Sequence, residues 1–310
     1  MNNLENVFCP ACKGADINIV RPYRYIHTIY KEMHLAKCSS CNLVFSTPMP
    51  SDDSLEEFNS SYFDSAHGGL QESAVALAFF KGIAKIRAAH LSKFLVKNSI
   101  EVRHVLEIGP GHGFFAENWI GKHPGIRYYG METDTTCHNY LRQLNVELIS
   151  SNDCLPDADV VIISHVLEHV SSPFEFLSAV TKSLRSGGVL FIEVPCQDWK
   201  HKSMDEPHLL FFEKQSMNGL LKSLNFSEIQ VSYHGEEIAS LQKESFIAKT
   251  YNRVRTTLIN MGVVAPFAQL ESGLELITEP LERAAIKPFK PHVESQNPSW
   301  WLRAVAIKNL

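Results

Sequence analysis

The stretch His104-Val-Leu-Glu107-Ile-Gly109-Pro-Gly111-His-Gly113 decides the fold of this 310-residue chain. Its first half is a short apolar run with the length of a buried strand, and three alternate glycines then open the amphipathic segment 114–122. A strand, a tight glycine turn and a helix in that order begin a doubly wound sheet. A turn without Cβ atoms also lets the backbone approach a nucleotide-type ligand. A dinucleotide fingerprint would put its third glycine three residues after the second, where Phe114 stands; here it is Gly113, which argues against NAD. Two carboxylates frame the turn. Glu107 precedes it, and Glu132 ends the next predicted strand, 127–132, where it is placed to accept hydrogen bonds from a ribose diol. Such a pair of acids suits a cationic cofactor.

Outward from this stretch the pattern alternates between strand and helix, as a mainly parallel α/β sheet requires. Strands are predicted at 104–109, 127–132, 146–150, 160–166, 189–195, 227–234 and 300–308. The helix after the fourth strand has Ser172 as N-cap, Pro173 at its first position, Glu175 to complete a capping box and Gly187-Gly188 as its end. Upstream, residues 71–97 place Val75, Phe79, Ile83, Ile86 and Phe94 at helical spacing, so 68–98 reads as a helical bridge. Residues 99–235 and 296–310 then form the core. The segment 236–295, punctuated by Pro266, Pro280, Pro288 and Pro291, is a helical insertion that could serve as a lid.

The first 67 residues form a separate unit. Cys9/Cys12 and Cys38/Cys41 are two Cys-x-x-Cys knuckles, and together they supply four thiolates, the donor set of a closed structural Zn2+ site. A unit this small is expected to depend on its metal for folding. It carries five Lys and Arg against eight Asp and Glu, and the whole chain has a formal charge of −5, which disfavours a nucleic-acid partner. No apolar run reaches the roughly 20 residues of a membrane span, and the first residues lack a basic start and apolar centre, so the expectation is a cytoplasmic protein with no membrane partner.

Taken together, the glycine turn, Glu132 and the later Leu167-Glu168-His169 resemble the class I S-adenosylmethionine-dependent methyltransferases, over roughly residues 100–235. The resemblance implies a Rossmann-like fold with a mostly parallel seven-stranded sheet. It implies S-adenosylmethionine held by Glu107, Gly109, Gly111, Gly113, Glu132, Asp153, Ser164 and His165. The four-cysteine unit, the segment Tyr62-Phe-Asp-Ser and the segment His208-Leu-Leu-Phe-Phe212 narrow the likeness to bacterial methyltransferases with a zinc-binding domain, which act on sugars and other small molecules. A small polar metabolite, such as a nucleotide-linked sugar or a glycan or natural-product precursor, is therefore the expected substrate, methylated on oxygen or carbon. Alternatives are an RNA methyltransferase with a zinc ribbon, or a non-catalytic protein that binds the cofactor and zinc.

Methyl transfer is an in-line displacement, so the protein must align the acceptor and remove its proton. A histidine is suited to that task. His208, in the loop after the fifth strand, is the candidate base, with Glu206 to orient it, Tyr62 to reach the same cleft and His165 at the end of the fourth strand near the reactive sulfonium. Pro195-Cys196-Gln197 has the look of a cytosine-C5 nucleophile motif but follows the fifth strand instead of the fourth, so Cys196 is not assigned that role.

Overall fold

The computed structural model describes residues 7–59, 74–150, 153–241 and 292–309, with positions 250, 253, 254, 257, 258, 261 and 290. Its centre is a sheet of β4 (His104–Ile108), β5 (Arg127–Met131), β6 (Glu147–Leu148), β7 (Ala158–Ser164), β8 (Leu184–Pro195), β10 (Phe226–Glu237), β11 (Glu294–Ser295) and β12 (Ser299–Lys308). The spatial order is β11-β10-β12-β8-β7-β4-β5-β6. From β6 to β8 the strands are parallel, whereas β12 runs antiparallel between β8 and β10. Among the described residues, the two-residue β11 on the β10 edge brings this sheet to eight strands where the sequence predicted seven.

Alternation along each strand builds two cores. Leu106, Val161 and Ile163 face one cluster, while Val105, Val160 and Ile162 face the other. The second cluster is closed by α2 (Ala74–Lys97) and α3 (Phe114–Lys122), through Leu91, Phe94, Leu95, Phe115 and Trp119. The first is closed by α5 (Pro173–Val180) and α6 (Lys214–Ser223), which follow α4 (His138–Gln143) in the chain.

Three expectations change. The helix after β7 ends at Val180, and Gly187 lies at φ +76° inside β8, where the register with β7 shifts. Those glycines serve an irregular strand entry and not a helix stop. Ser172 sits at the N-cap with Pro173 behind it, but its side chain makes no cap hydrogen bond; Glu175 instead pairs with Lys13 at 2.8 Å. Strand β10 runs on to Glu237, so the expected insertion starts later, and most of it lies outside the described residues.

The N-terminal unit is not independent. Its strands β1 (Ile17–Pro22), β2 (His34–Cys38) and β3 (Val44–Thr47) gain a fourth, β9 (Leu210–Phe211), from the loop that follows β8. Leu35 and Phe45 belong to the same core cluster as Ile163 and Ile192 of the large sheet. Buried Asp205 receives Arg21 at 2.5 Å and Arg24 at 2.7 Å, and Tyr23 donates to the backbone oxygen of His208 at 2.9 Å. The unit therefore holds the His208 loop in place.

Candidate active site

The turn after β4 is shaped as the sequence predicts. Gly109 and Gly113 lie at φ +69° and +76°. A Cβ on Gly109 would overlap the Val166 side chain, and one on Gly113 would come within 2.7 Å of Leu144. Only glycine fits at either place. Gly111 N donates to Glu132 at 2.8 Å, and Asp134 N donates to the other oxygen of that carboxylate at 2.9 Å. Burial raises the pKa of Glu132, and these amides partly offset it. At the end of β7 the Ser164 hydroxyl is buried with no hydrogen-bond partner, which leaves it for a ligand. Asp153 is exposed and accepts from Ser150 N at 2.8 Å in a local turn. The glycine cradle, the Glu132 carboxylate and the unpartnered hydroxyl fit a nucleoside cofactor of the kind the sequence implied.

Glu107 is buried in β4 and accepts from the Tyr128 hydroxyl at 2.6 Å. Burial pushes its pKa up to about 7 from an ordinary value of 4.5. The folded chain thus keeps a proton that the unfolded chain releases. That contribution is full below about pH 4.5 and is lost as pH rises through about 7, at about 1.4 kcal/mol per pH unit. Urea unfolding across this range is expected to show Glu107→Gln gaining on the parent protein as pH rises; parallel profiles would refute it.

Beyond the turn, the ends of β7 and β8 carry a chain of buried charges. Glu193, fully buried in β8, is held by Arg87 from α2 at 2.5 Å and by Arg303 from β12. Burial would raise Glu193, but the two guanidinium groups keep it well below the usual carboxylate range. His165, at φ +57°, lies between Glu193 at 3.3 Å and Glu168 at 3.2 Å. Burial alone would lower the pKa of His165; the two carboxylates raise it instead. It is thus held toward its cationic form.

His208 differs. Its Nδ1 stands 2.7 Å from buried Asp198, which fixes the proton on Nδ1 and leaves Nε2 as the available nitrogen. Burial would raise Asp198, but His208 and Lys202 beside it hold it below the carboxylate range. The orienting group expected for His208 was Glu206. That carboxylate instead accepts from the backbone amides of Ile26 at 2.7 Å and His27 at 2.9 Å, so it anchors the N-terminal unit. Asp198 was missed because nothing in local sequence links it to a histidine ten residues on. Glu193 did leave a signal, a single charge inside the apolar run 189–195. Tyr62 lies outside the described residues. Cys196 is buried and pushed up to about 12, which does not suit a nucleophile.

The four thiols of the N-terminal unit converge. Cys9 and Cys41 are 3.6 Å apart, as are Cys12 and Cys38, and all four sulfurs lie within 4.8 Å of one another. At bonds of about 2.3 Å a tetrahedral ion separates its sulfurs by about 3.8 Å. The two knuckles also repeat one geometry: Lys13 and Asn42, each just after a second cysteine, lie at φ +61° and +64° and donate their N–H groups to Cys9 and Cys38 carbonyls. The donor set fits a tetrahedral metal.

A family model of the methyltransferase domain matches residues 81–231. Residues 81–231 are a methyltransferase domain. A probable S-adenosylmethionine-dependent methyltransferase of Mycolicibacterium smegmatis (strain ATCC 700084 / mc(2)155) is 29% identical over 153 residues, covering 45% of this chain and 58% of the relative. The chain thus spans less than two thirds of that relative. Among solved structures, a SAM-dependent methyltransferase of Thermotoga maritima, described as a possible histamine N-methyltransferase, is similar at TM-score 0.50 and 16% identity over 82% of this chain and all of that one. Phosphoethanolamine N-methyltransferase 2 of Haemonchus contortus reaches TM-score 0.49 and 13% identity, over 86% of this chain and 63% of that one. The segment 81–231 accordingly has the Rossmann-like fold; it takes in the glycine turn and all of α2 after position 80.

Proposed function

We propose that the chain is an S-adenosylmethionine-dependent methyltransferase acting on a small polar metabolite of the sugar-nucleotide kind, with Zn2+ held by Cys9, Cys12, Cys38 and Cys41 as a structural ion. The cofactor supplies an electrophilic methyl group on a sulfonium. Gly109, Gly111 and Gly113 would admit its adenosyl and methionine portions, Glu132 would take the ribose hydroxyls, Asp153 the adenine amino group, and Glu107 and Ser164 the remaining polar groups. The observation that carries the reading is the Asp198–His208 pair, 2.7 Å apart, in the loop after β8 and against the turn Leu167–His169 that follows β7. Ligands of open α/β sheets lie at those carboxyl ends of the strands. There Asp198 orients the imidazole and His208 deals with the proton of the acceptor. The choice of a sugar nucleotide rests on the likeness of the N-terminal unit and of the segment 208–212.

Sugar nucleotides supplied with methyl-labelled cofactor test this directly. His208→Ala and Asp198→Asn are expected to lower turnover by about a hundredfold while leaving S-adenosylhomocysteine affinity within about twofold. Undiminished turnover in His208→Ala would remove the histidine from the mechanism. Absence of cofactor binding in the parent protein would remove the whole reading.

A further inference from the structure

Glu168 raises a question that cofactor binding does not answer. It is 1% exposed, in the short turn Leu167–His169 after β7, yet neither carboxylate oxygen accepts a hydrogen bond of sound geometry. Its nearest ring nitrogens are those of His165 at 3.2 Å, the ion pair described above, and of His169 at 3.8 Å. The His165 ion pair offsets part of its desolvation, but a buried carboxylate normally collects hydrogen bonds on both oxygens. One ligand atom from each of Glu168, His169 and His208 lies within 4.8 Å of the other two. Around a cation with bonds of about 2.1 Å, such atoms stand about 3.0–3.5 Å apart, so side-chain movements of about an ångström close the set.

The surroundings match those of a metal-binding histidine. A ligating imidazole is oriented by a carboxylate or carbonyl on its other nitrogen, and His208 has Asp198 at 2.7 Å on Nδ1. We propose that Glu168, His169 and Nε2 of His208 bind a divalent first-row cation such as Mn2+ or Fe2+, separate from the four-thiolate site and beside the methyl acceptor. Two imidazoles and one carboxylate make a harder donor set than four thiolates, so this site accommodates Mn2+ or Fe2+ better than the thiolate site does.

This rests on the methyltransferase reading and refines the part that His208 plays in it. With its Nε2 on the cation, the histidine acts as a ligand. The hydroxyl of the acceptor coordinates the cation, its acidity rises, and its proton leaves to water. The new oxygen–carbon bond forms as the carbon–sulfur bond breaks; the electron pair of the latter stays on sulfur and S-adenosylhomocysteine departs neutral. Open positions on a three-ligand face leave room for that oxygen.

The test titrates MnCl2 into full-length protein whose zinc content has been measured, following free Mn2+ by electron paramagnetic resonance, with S-adenosylhomocysteine binding recorded on the same samples. Saturable uptake of one Mn2+ per chain is expected. Glu168→Gln and His169→Ala should weaken it by at least about tenfold, and Asp198→Asn by about tenfold, each with S-adenosylhomocysteine still bound as proof of fold. Cofactor binding without saturable Mn2+ or Fe2+ uptake, or uptake indifferent to all three substitutions, overturns the metal site and leaves His208 as a free base. Failure of the parent protein to bind S-adenosylhomocysteine overturns the underlying reading instead.

Discussion

Replacing Cys38 with Ser is expected to unfold the N-terminal unit and to reduce methyl transfer more than any change at the glycine turn's rim. A hydroxyl is a poor substitute for a thiolate on zinc, and structural zinc contributes on the order of 10–16 kcal/mol to folds of this size. Cys38 ends β2, the strand that joins β1 to β3. If the four thiolates hold zinc as proposed, its loss would free β3, whose Val44 and Phe45 pair with Phe211 and Leu210. With them go the Tyr23 hydrogen bond to His208 and the Arg21 and Arg24 clamp on Asp205. The His208 loop is thus disordered from a site built on the far side of the small sheet. Limited proteolysis should cut within residues 17–47 of the variant, zinc should fall to zero, and turnover should drop at least as far as in His208→Ala. S-adenosylhomocysteine binding should weaken much less, since the glycine turn is held by the large sheet. Retained zinc and an unchanged cleavage pattern would show that the four sulfurs do not share a structural ion.

The second large effect is expected at Glu193. Gln there keeps the volume but removes the charge that compensates Arg303, itself 1% exposed, and Arg87. An uncompensated buried charge costs about 3–5 kcal/mol, which lowers the melting temperature by roughly 10 °C in a domain of this length. The pH dependence gives a second signature. Because Glu193 is held well below its ordinary 4.5, its contribution is present above about pH 4.5 and is lost as pH falls toward its folded value. Glu193→Gln lacks that slope, so the two proteins should converge in stability in acid and differ most at neutral pH. High salt should change the difference little, because the ion pairs are shielded from solvent. Equal melting temperatures at pH 7 would mean that the arginines find other partners.

Much of this arrangement is legible in the sequence. The apolar run ending at Ile108 and the three glycines specify a strand and a turn through local sterics alone, because the left-handed φ values of Gly109 and Gly113 exclude residues with a Cβ. The paired Cys-x-x-Cys knuckles announce a four-sulfur cluster by spacing, and the sulfurs do converge. The βα alternation announces a mainly parallel sheet, and the strands from β6 to β8 are parallel.

Partnership among charged side chains was not legible. Glu206 and Asp198 are both acidic and both near His208 in sequence, and spacing favoured the nearer one. Tertiary structure instead turned Glu206 to the amides of Ile26 and His27, and brought Asp198 to the ring. The same holds for the fusion of the N-terminal sheet with β9, and for Arg87, Arg303 and His165 meeting on one carboxylate. Local sequence determined the backbone of the glycine turn and the positions of the thiols, because those depend on sterics and on spacings of a few residues. The tertiary fold decided which buried charges meet, because a carboxylate in a low-dielectric interior takes whichever donors the packing brings within about 3 Å, however far away they lie in the chain.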